Sequence, residues 1–407
     1  MIKRTLYLDL WHELSSEKQM IFLSGPRQVG KTTLAKEIAK KFKNNVYFNW
    51  DIIGDRKKLL QNPTFFETVN RVDESSPLVI FDEIHKYKHW KNYLKGIYDQ
   101  FSADYKFLIS GSSRLDLFQK GSDSLAGRYF QLHLLPFTIA ELSEKRRSIE
   151  NFIKSPINEF DINEVNSSKD KWDTLFNFSG FPEPFVKGRK TFLNKWSMTY
   201  LVQLLREDIR SLTEIKKVDD IEILFSLLPL KVGSPISINN LVGDIQVSYV
   251  SIKEWLNLFE KFYLIFRISP WTKKISRAIL KEKKLYLYNY TEIQSESYRF
   301  ENMVALELLR CIYSWNEYGY GKFNLHYIRN KDKEEVDFLI TENNNPLLLI
   351  ETKYGEETLS KNLINFQNKL NIPAVQLVNT KNTFKYLKNG NNKILVVTAY
   401  RWLASLP

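Results

Sequence analysis

Short apolar runs alternate with helical stretches over the first third of the chain. The runs that predict strands are Met20–Ser24, Val46–Trp50, Leu78–Phe81, Lys106–Ser110 and Tyr129–Leu135. Between them, apolar residues recur at the spacing of an amphipathic helix. Strands that alternate with helices predict βαβ units and a parallel sheet, so the expected fold class is α/β.

The pattern changes after Thr138, where apolar residues mostly keep helical spacing as far as residue 217. Three short amphipathic helices then precede an apolar run at Tyr263–Ile268. From about residue 291 a helix is followed by strands predicted at Glu335–Ile340, Leu347–Lys353 and Ala374–Val378. These changes predict an α/β domain at 1–140, a helical segment at 141–217, a helix-and-hairpin domain at 218–290 and a second α/β domain at 291–407.

Length and composition narrow the class of protein. A chain of 407 residues exceeds the usual size of a single core, and a 43% share of hydrophobic residues supplies packed interiors. No apolar window is long enough for a membrane span, and Met1–Gln19 lacks the pattern of a signal peptide. One cysteine, Cys311, excludes an intramolecular disulfide framework. We therefore expect a soluble, cytoplasmic protein with no membrane partner, and its net charge of +12 makes nucleic acid a candidate partner.

A phosphate-binding loop is the strongest local signal. The segment from Gly25 to Thr32 matches the pattern G-x-x-x-x-G-K-[ST] and lies between a predicted strand and a predicted helix. Such a loop presents backbone N–H groups to phosphate oxygens at a helix N-terminus. Lys31 is expected to bridge the β- and γ-phosphates of ATP, and the Thr32 hydroxyl to ligate Mg²⁺. The predicted nucleotide-binding residues here are Gly25, Pro26, Arg27, Gln28, Val29, Gly30, Lys31, Thr32 and Thr33.

Hydrolysis needs a second element, and two carboxylates after the apolar run Leu78–Phe81 supply it. Asp82 is expected to hold the magnesium ion through water. Glu83 is expected to polarise the attacking water. The alternative is an ordinary strand that ends in an acidic turn. Together with the loop, the pair predicts an ATP hydrolase.

Two further nucleotide contacts are predicted with alternatives left open. Ser110 or Ser112, after the apolar run Lys106–Ile109, is a candidate contact to the γ-phosphate. Arg128 is a candidate arginine finger supplied to a neighbouring subunit, which would imply a homo-oligomer. A structural or surface role is an equal alternative for each.

The middle of the chain has the order of a winged helix: three helices, a strand, a polar hairpin and a strand. From Arg267 to Lys284 there are seven basic residues and one acid, which amounts to half of the net charge. We expect DNA contact here, although a solvated hairpin or a protein-binding winged helix stays open. The predicted DNA-binding residues, with one from the third helix, are Lys253, Lys273, Lys274, Arg277, Lys281, Lys283 and Lys284.

Three carboxylates and a lysine near the C-terminus form a second candidate site. Strand alternation places Glu351 and Lys353 on one face, Asp337 lies on the strand before, and Glu301 leans toward the packed side of its helix. Carboxylates are suitable Mg²⁺ ligands, and Lys353 would orient water or stabilise the phosphate in phosphodiester cleavage. The arrangement resembles the PD-(D/E)XK nucleases. An inactive domain that serves as a binding platform is the alternative, and Gln367 is a site candidate or a surface residue.

Several of these motifs together resemble the prokaryotic AAA-type P-loop ATPases with a C-terminal domain of unknown function. They are Gly25-Pro-Arg-Gln-Val-Gly-Lys-Thr-Thr, Asp82-Glu83, Ile109-Ser-Gly-Ser-Ser, Leu125-Ala-Gly-Arg, Leu135-Pro-Phe, Gly180-Phe-Pro-Glu, Arg206-Glu-Asp-Ile, Phe300-Glu-Asn and Glu335-Val-Asp-Phe. The resemblance implies an ATPase core, a helical segment, a winged helix and a domain of restriction-endonuclease type. Asn289 stands where the family often has an aspartate.

Two functions follow as hypotheses. In the first, the chain is an ATP-driven protein that acts on DNA, with a winged helix that holds the DNA and a terminal domain that cuts or grips it. In the second, it is an ATP-gated switch or scaffold whose winged helix and terminal domain bind protein partners without chemistry. Salt dependence of binding and DNA stimulation of hydrolysis distinguish the two.

Overall fold

The computed structural model describes residues 2–111, 125–143, 146–158, 168–209, 218–273, 281–355, 357–390 and 392–407. Three residues predicted from the sequence to contact nucleotide or DNA lie outside the described ranges: Ser112, Lys274 and Arg277. The chain divides into two compact units. The first unit comprises Met1–Leu135 and Lys261–Tyr263, and the second comprises Pro136–Glu260 and Leu264–Pro407.

The first unit is built on a five-stranded sheet in the order β2-β3-β4-β1-β5. All neighbouring strands are parallel, which confirms the sheet type expected from the alternating pattern. Its strands are β1 (Met20–Ser24), β2 (Asn45–Asn49), β3 (Leu78–Asp82), β4 (Lys106–Ser110) and β5 (Tyr129–His133). Its helices are α1 (Thr5–Leu14), α2 (Lys31–Ala39), α3 (Ile53–Gln61) and α4 (Trp90–Phe101).

An aromatic core covers one face of this sheet. Helix α4 packs Trp90 and Phe101 into a cluster with Phe22, Phe81 and Phe107 from three strands. Every residue of β1 and β3 is buried, as expected for central strands covered on both faces. A sheet packed in this way holds the carboxyl ends of its strands at fixed positions, where the loops of the candidate site begin.

The second unit begins with a run of helices. These are α5 (Ile139–Ser143), α6 (Ile149–Lys154), α7 (Lys169–Phe178), α8 (Pro182–Lys187), α9 (Lys190–Val202), a π-helical turn (Gln203–Ile209), α10 (Val218–Leu227), α11 (Ile238–Ile245) and α12 (Tyr249–Lys261). On α12 the side chains of Ile252, Trp255, Leu256 and Phe259 are buried. Lys253 is exposed on the opposite face, as the helical spacing predicted.

A mixed eight-stranded sheet forms the core of the second unit, in the order β12-β13-β11-β10-β9-β8-β6-β7. The strands are β6 (Ile265–Pro270), β7 (Lys284–Leu287), β8 (Phe323–Arg329), β9 (Glu335–Glu342), β10 (Asn345–Lys353), β11 (Ala374–Val378), β12 (Phe384–Asn389) and β13 (Asn392–Thr398). The helices that accompany them are α13 (Glu296–Glu317), α14 (Lys361–Leu370) and α15 (Ala399–Leu403).

The predicted hairpin belongs to this larger sheet. Strands β6 and β7 pair antiparallel, as a hairpin requires, through registers such as Ile268 with Lys284. The end of β6 also pairs with β8, through Ser269 with His326. Backbone hydrogen bonds therefore join the helix-and-hairpin segment to the terminal α/β part of the second unit.

Within the part of the chain that the structure describes, no helix has the length and apolar character needed to cross a bilayer. Cys311 is a free, buried thiol on α13. Burial raises its pKa to about 12, so it is a packed side chain and not a reactive nucleophile.

Candidate nucleotide site and acidic cluster

The phosphate-binding loop connects β1 to α2 in the first unit. Gly25 has a φ of 143°, and a Cβ at this position would lie 2.1 Å from the Leu134 carbonyl oxygen, so only glycine fits. Gly30, with a φ of 99°, stands at the N-terminal end of α2. Arg4 is buried and donates to the carbonyl oxygens of Val29 (3.2 Å) and Leu135 (2.7 Å), which fixes the loop to the end of β5. Sequence reasoning did not find Arg4.

Lys31, the first residue of α2, folds back over the loop. Its Nζ donates to the carbonyl oxygens of Gly25 (2.9 Å) and Pro26 (2.7 Å), and only 8% of the residue is exposed. The ammonium group therefore lies inside the loop that the motif assigns to phosphate. Arg27 and Gln28 lie at the surface of the loop, Val29 is buried, and Thr33 is exposed on the first turn of α2.

Asp82 is the centre of a small hydrogen-bond network beside the loop. One carboxylate oxygen, Oδ2, accepts from Thr32 Oγ1 (2.7 Å) and from the Tyr47 hydroxyl (2.6 Å). The other, Oδ1, is buried and has no hydrogen-bond partner among the described residues. Burial and the neighbouring Asp82 carboxylate raise the pKa of Tyr47, so its hydroxyl stays a donor. Tyr47 was not predicted from the sequence, although strand alternation in β2 points it to the same side as Asn45 and Asn49.

The oxygen set around Asp82 fits a magnesium ion. A buried carboxylate oxygen without a donor, next to a threonine hydroxyl, is a hard-oxygen site at the end of a phosphate loop. Both predicted metal-holding groups of this site, Thr32 and Asp82, are thus in contact with each other. The register of β3 and β4 brings Ser110 opposite Asp82, and the Ser110 hydroxyl is buried without a hydrogen-bond partner in the described chain.

Glu83 follows Asp82 in a left-handed backbone conformation, with a φ of 56°. Its Oε2 lies 3.2 Å from the Lys86 ammonium, which in turn contacts Asp51 at 2.6 Å. Burial raises the pKa of Glu83, while Lys86 and Lys31 act in the opposite direction. A positive φ is costly for a non-glycine residue and is common at functional sites. The turn places this carboxylate beside the loop, where the sequence predicted the base.

Arg128 lies at the end of the sheet where the strands begin, opposite to the end that carries the phosphate loop. It precedes β5, whose first residues pair with the start of β1, whereas the phosphate loop follows the end of β1. Its guanidinium pairs with Asp99 of α4 through Nε at 2.7 Å and Nη2 at 3.3 Å. Because the strands are parallel, a five-residue strand of roughly 16 Å separates Arg128 from the loop of its own chain.

The basic segment from Arg267 to Lys284 is less available than its sequence indicated. The Arg267 side chain is only 9% exposed and pairs with Glu260 at 2.5 Å. Lys284 is buried inside the second unit, with only 1% of the residue exposed, so it does not present a charge to DNA as we had expected. Trp271, the expected aromatic contact, donates its indole N–H to the Asn344 carbonyl oxygen (3.0 Å). The remaining described lysines of the segment are Lys273 and Lys281, which are exposed, and Lys283, which is partly buried.

The four predicted residues of the second site do meet in the second unit. Asp337 on β9 accepts from the backbone N–H (2.9 Å) and hydroxyl (2.7 Å) of Thr352, the residue between Glu351 and Lys353. Lys353 Nζ lies 3.1 Å from Glu351 Oε1. Glu301 lies on α13 and is 9% exposed, as its helical phase predicted.

A lysine that the sequence assigned elsewhere joins this acidic cluster. Lys284 Nζ lies 3.1 Å from Glu301 Oε1, 3.3 Å from Asp337 Oδ1 and 2.8 Å from Glu335 Oε1. Within the described residues, no three acidic, histidine or cysteine side chains are arranged to hold a metal ion. In this arrangement Lys284 lies between Glu301 and Asp337, two of the three carboxylates that the sequence predicted as magnesium ligands.

Gln367 is neither at this cluster nor at the surface. It is buried on α14, where its side chain donates to the Lys393 carbonyl oxygen (3.0 Å) and accepts from Asn389 (2.8 Å). Those partners lie on β13 and at the end of β12. Gln367 therefore joins the helix to the far strands of the sheet, which is a structural role.

Comparison with protein families assigns the parts of the chain. Residues 17–143 match the model of an AAA domain. The chain carries an AAA-type P-loop ATPase domain. Two domains of unknown function follow it, DUF8612 at residues 169–290 and DUF4143 at residues 299–400. An AAA domain implies binding of ATP and Mg²⁺ and suggests ATP hydrolysis, in agreement with the loop and the Asp82 network.

Relatives and solved structures resemble the chain at low identity. An uncharacterized protein of Mycobacterium tuberculosis is 21% identical over 66% of this chain and 54% of its own length. One of Methanocaldococcus jannaschii is 24% identical over 67% of this chain and 61% of its own length. The chain thus spans little more than half the length of these relatives.

Among solved structures, a Walker-type ATPase of Pyrococcus abyssi matches 72% of this chain and 95% of its own, with 16% identity and a TM-score of 0.44. The Orc1 protein of Aeropyrum pernix, solved in complex with DNA, matches 74% of this chain and 92% of its own, with 13% identity and a TM-score of 0.30.

Proposed function

We propose that the first unit binds Mg²⁺-ATP and hydrolyses it. The observation that carries this proposal is the contact between Thr32 and Asp82 beside a glycine loop, which leaves one buried Asp82 oxygen without a donor. When bound, Mg²⁺ neutralises charge on the β- and γ-phosphates. Lys31 would exchange its carbonyl contacts for phosphate oxygens. Glu83 would hold the attacking water and accept its proton, and Ser110 is a candidate contact to the γ-phosphate.

Two substitutions separate binding from hydrolysis. Lys31→Ala is expected to abolish ATP binding and hydrolysis together, because it removes the ammonium group from the loop. Glu83→Gln is expected to keep ATP binding and to lower kcat at least about 100-fold, the usual minimum contribution of a general base. Fluorescent-nucleotide titration and phosphate release measure the two quantities. Undiminished hydrolysis in Lys31→Ala would remove the loop from the mechanism.

We propose DNA as the partner of the second unit. The support is the net charge of +12 together with exposed lysines on α12 and at both ends of the segment from 271 to 283. Lys253, Lys273, Lys281 and Lys283 are the described candidates, and Lys274 and Arg277 remain candidates from the sequence. Binding by such residues is expected to weaken steeply between 50 and 200 mM salt, since each phosphate contact releases counterions.

The DNA proposal is tested by anisotropy titration with duplex DNA across that salt range. The double variant Lys273→Ala, Lys281→Ala is expected to reduce the slope of log K against log salt by about two, one for each lost phosphate contact. Lys388→Ala is a matched control, because Lys388 is an exposed lysine on β12 of the same unit. Affinity that is independent of salt would favour a protein partner for this surface.

For the terminal domain we propose a role in binding and not in cleavage. The observation that favours it is that Lys284 contacts three carboxylates, including two that a nuclease would need for its metal. Cleavage of duplex DNA by the wild-type protein with Mg²⁺, lost in Asp337→Ala, would restore the nuclease hypothesis.

A further inference from the structure

Lys284 contacts the acidic cluster of the second unit with its side chain, and its backbone is held in place by strand pairing. Lys284 is the first residue of β7, pairs with Ile268 of β6, and bridges to Pro235 on its other side. Both neighbours fix the strand, and alternation directs Lys284 and Tyr286 to the same side. The Tyr286 hydroxyl donates to Glu301 Oε1 at 2.8 Å. The lysine therefore reaches the carboxylates from a position that the sheet determines.

Lys284, Tyr286 and Thr352 contact three of the four carboxylate oxygens of Glu301 and Asp337. Glu301 Oε1 accepts hydrogen bonds from the Lys284 ammonium group and the Tyr286 hydroxyl. Glu301 Oε2 lies so close to Gly233 that a Cβ added to this glycine would be 2.8 Å from the oxygen. Asp337 Oδ1 faces Lys284, and its Oδ2 receives two bonds from Thr352. A metal ion that bound through Glu301 Oε1 and Asp337 Oδ1 would have to displace Lys284, which contacts both oxygens.

We infer that the Lys284 ammonium group takes the position that a divalent metal would need in this cluster, so that lysine and metal exclude one another. The cluster is then a metal-free ion-pair core that joins β7 to β9 and α13. One ammonium group supplies three donors, which matches the three carboxylates it contacts. Glu335, the partner at the shortest distance, also lies 3.6 Å from Arg329.

Charge and burial agree with this assignment. Lys284 is 1% exposed, and its ammonium group is surrounded by the carboxylates of Glu301, Asp337 and Glu335. Glu351 Oε2 is buried without a hydrogen-bond partner among the described residues. Removal of Lys284 would leave the carboxylates of Glu301, Asp337 and Glu335 without the cation that they share, and a divalent metal could then take its place.

The test compares thermal unfolding of the full chain with and without Mn²⁺, in the absence of nucleotide. In wild type, any rise in melting temperature that Mn²⁺ gives through the Thr32–Asp82 site is expected to be the same in Asp337→Asn. Lys284→Met is expected to lower the melting temperature by several degrees, and millimolar Mn²⁺ is expected to restore at least half of that loss. Lys388→Met removes an exposed lysine from the same sheet and is expected to show neither effect.

Each result bears on the inference. If Mn²⁺ raises the melting temperature of wild type and Asp337→Asn abolishes that rise, the cluster binds metal with Lys284 in place and the inference is wrong. It is also wrong if Mn²⁺ gives no recovery in folded Lys284→Met. Should Lys284→Met fail to fold, the number of Mn²⁺ ions bound by wild type and by Asp337→Asn decides: equal numbers support the inference, and one ion fewer in Asp337→Asn overturns it. ATP hydrolysis by wild type is measured separately, so failure here does not affect the proposed ATPase.

Discussion

At the residue scale, the nucleotide site combines residues that the sequence identified with others that it did not. The motif positions Lys31, Thr32, Asp82 and Glu83 could be predicted because backbone geometry at a phosphate loop and a strand end restricts the residue type. Tyr47 could not, since its role depends on the pairing of β2 with β3, which the local pattern does not specify. Tyr47 and Thr32 both donate to Asp82 Oδ2 and together orient this carboxylate.

Substitution Tyr47→Phe removes only the hydroxyl that donates to Asp82. Donors to a metal-holding carboxylate are commonly worth about 10-fold to 100-fold in metal affinity or activity. We expect the Mg²⁺ concentration for half-maximal ATP hydrolysis to rise about 10-fold, with kcat recovered at saturating Mg²⁺. Tyr93→Phe is the control, because its hydroxyl donates to the Pro63 carbonyl oxygen instead. An unchanged Mg²⁺ dependence in Tyr47→Phe would show that Thr32 alone is sufficient to orient Asp82.

At the element scale, the sequence predicted all five strands of the first sheet, whereas β8, β12 and β13 of the second sheet were not predicted. β1, β4 and β11 have the predicted bounds, because buried parallel strands are continuous apolar runs. Strand β12 was not predicted: its sequence alternates lysine with apolar residues, and much of it is exposed at the sheet edge. Lys284 was misplaced for a related reason. A lysine at the end of a basic run has the sequence pattern of a solvated hairpin, and only the pairing of β7 shows that it points inward.

Helix α13 is joined to α5 by a buried carboxyl group. Glu307 Oε1 accepts from the backbone N–H of Ile139 at 2.6 Å, and burial raises the pKa of Glu307 to about 8. In an unfolded chain the pKa would be near 4.5. The folded state therefore holds the proton more tightly, and this contribution to stability is present at low pH and lost as the pH rises toward 8.

Substitution Glu307→Gln keeps an acceptor for the Ile139 N–H and removes the ionisation. Because one unit of pKa shift corresponds to about 1.4 kcal/mol, we expect the variant to be more stable than wild type at pH 9 by a few kcal/mol and similar to it at pH 5. Urea unfolding at the two pH values measures the difference. The same advantage at both pH values would mean that packing, and not ionisation of Glu307, separates the two proteins.

At the scale of the whole molecule, part of the positive charge behind the net +12 is paired inside the fold and is not exposed at the surface. Half of the net charge was assigned to the segment from Arg267 to Lys284, yet both of these terminal residues are ion-paired within the second unit. Charge counted along a sequence therefore overstates the field available to DNA. What remains for DNA contact in the described part of the segment is Lys273, Lys281 and Lys283, with Lys253 on α12.

A coupling between the two units distinguishes a DNA-acting ATPase from an ATP-gated scaffold for proteins. If DNA binding by the second unit favours the active state of the first, duplex DNA is expected to raise kcat for ATP hydrolysis about 5-fold or more, the lower end of ordinary coupling energies. The stimulation should disappear by about 300 mM salt, where counterion release no longer favours binding. It should also be reduced in the Lys273→Ala, Lys281→Ala variant and kept in Lys388→Ala. Phosphate release measured with and without DNA gives the answer, and equal rates at low salt, despite DNA binding, would favour the scaffold.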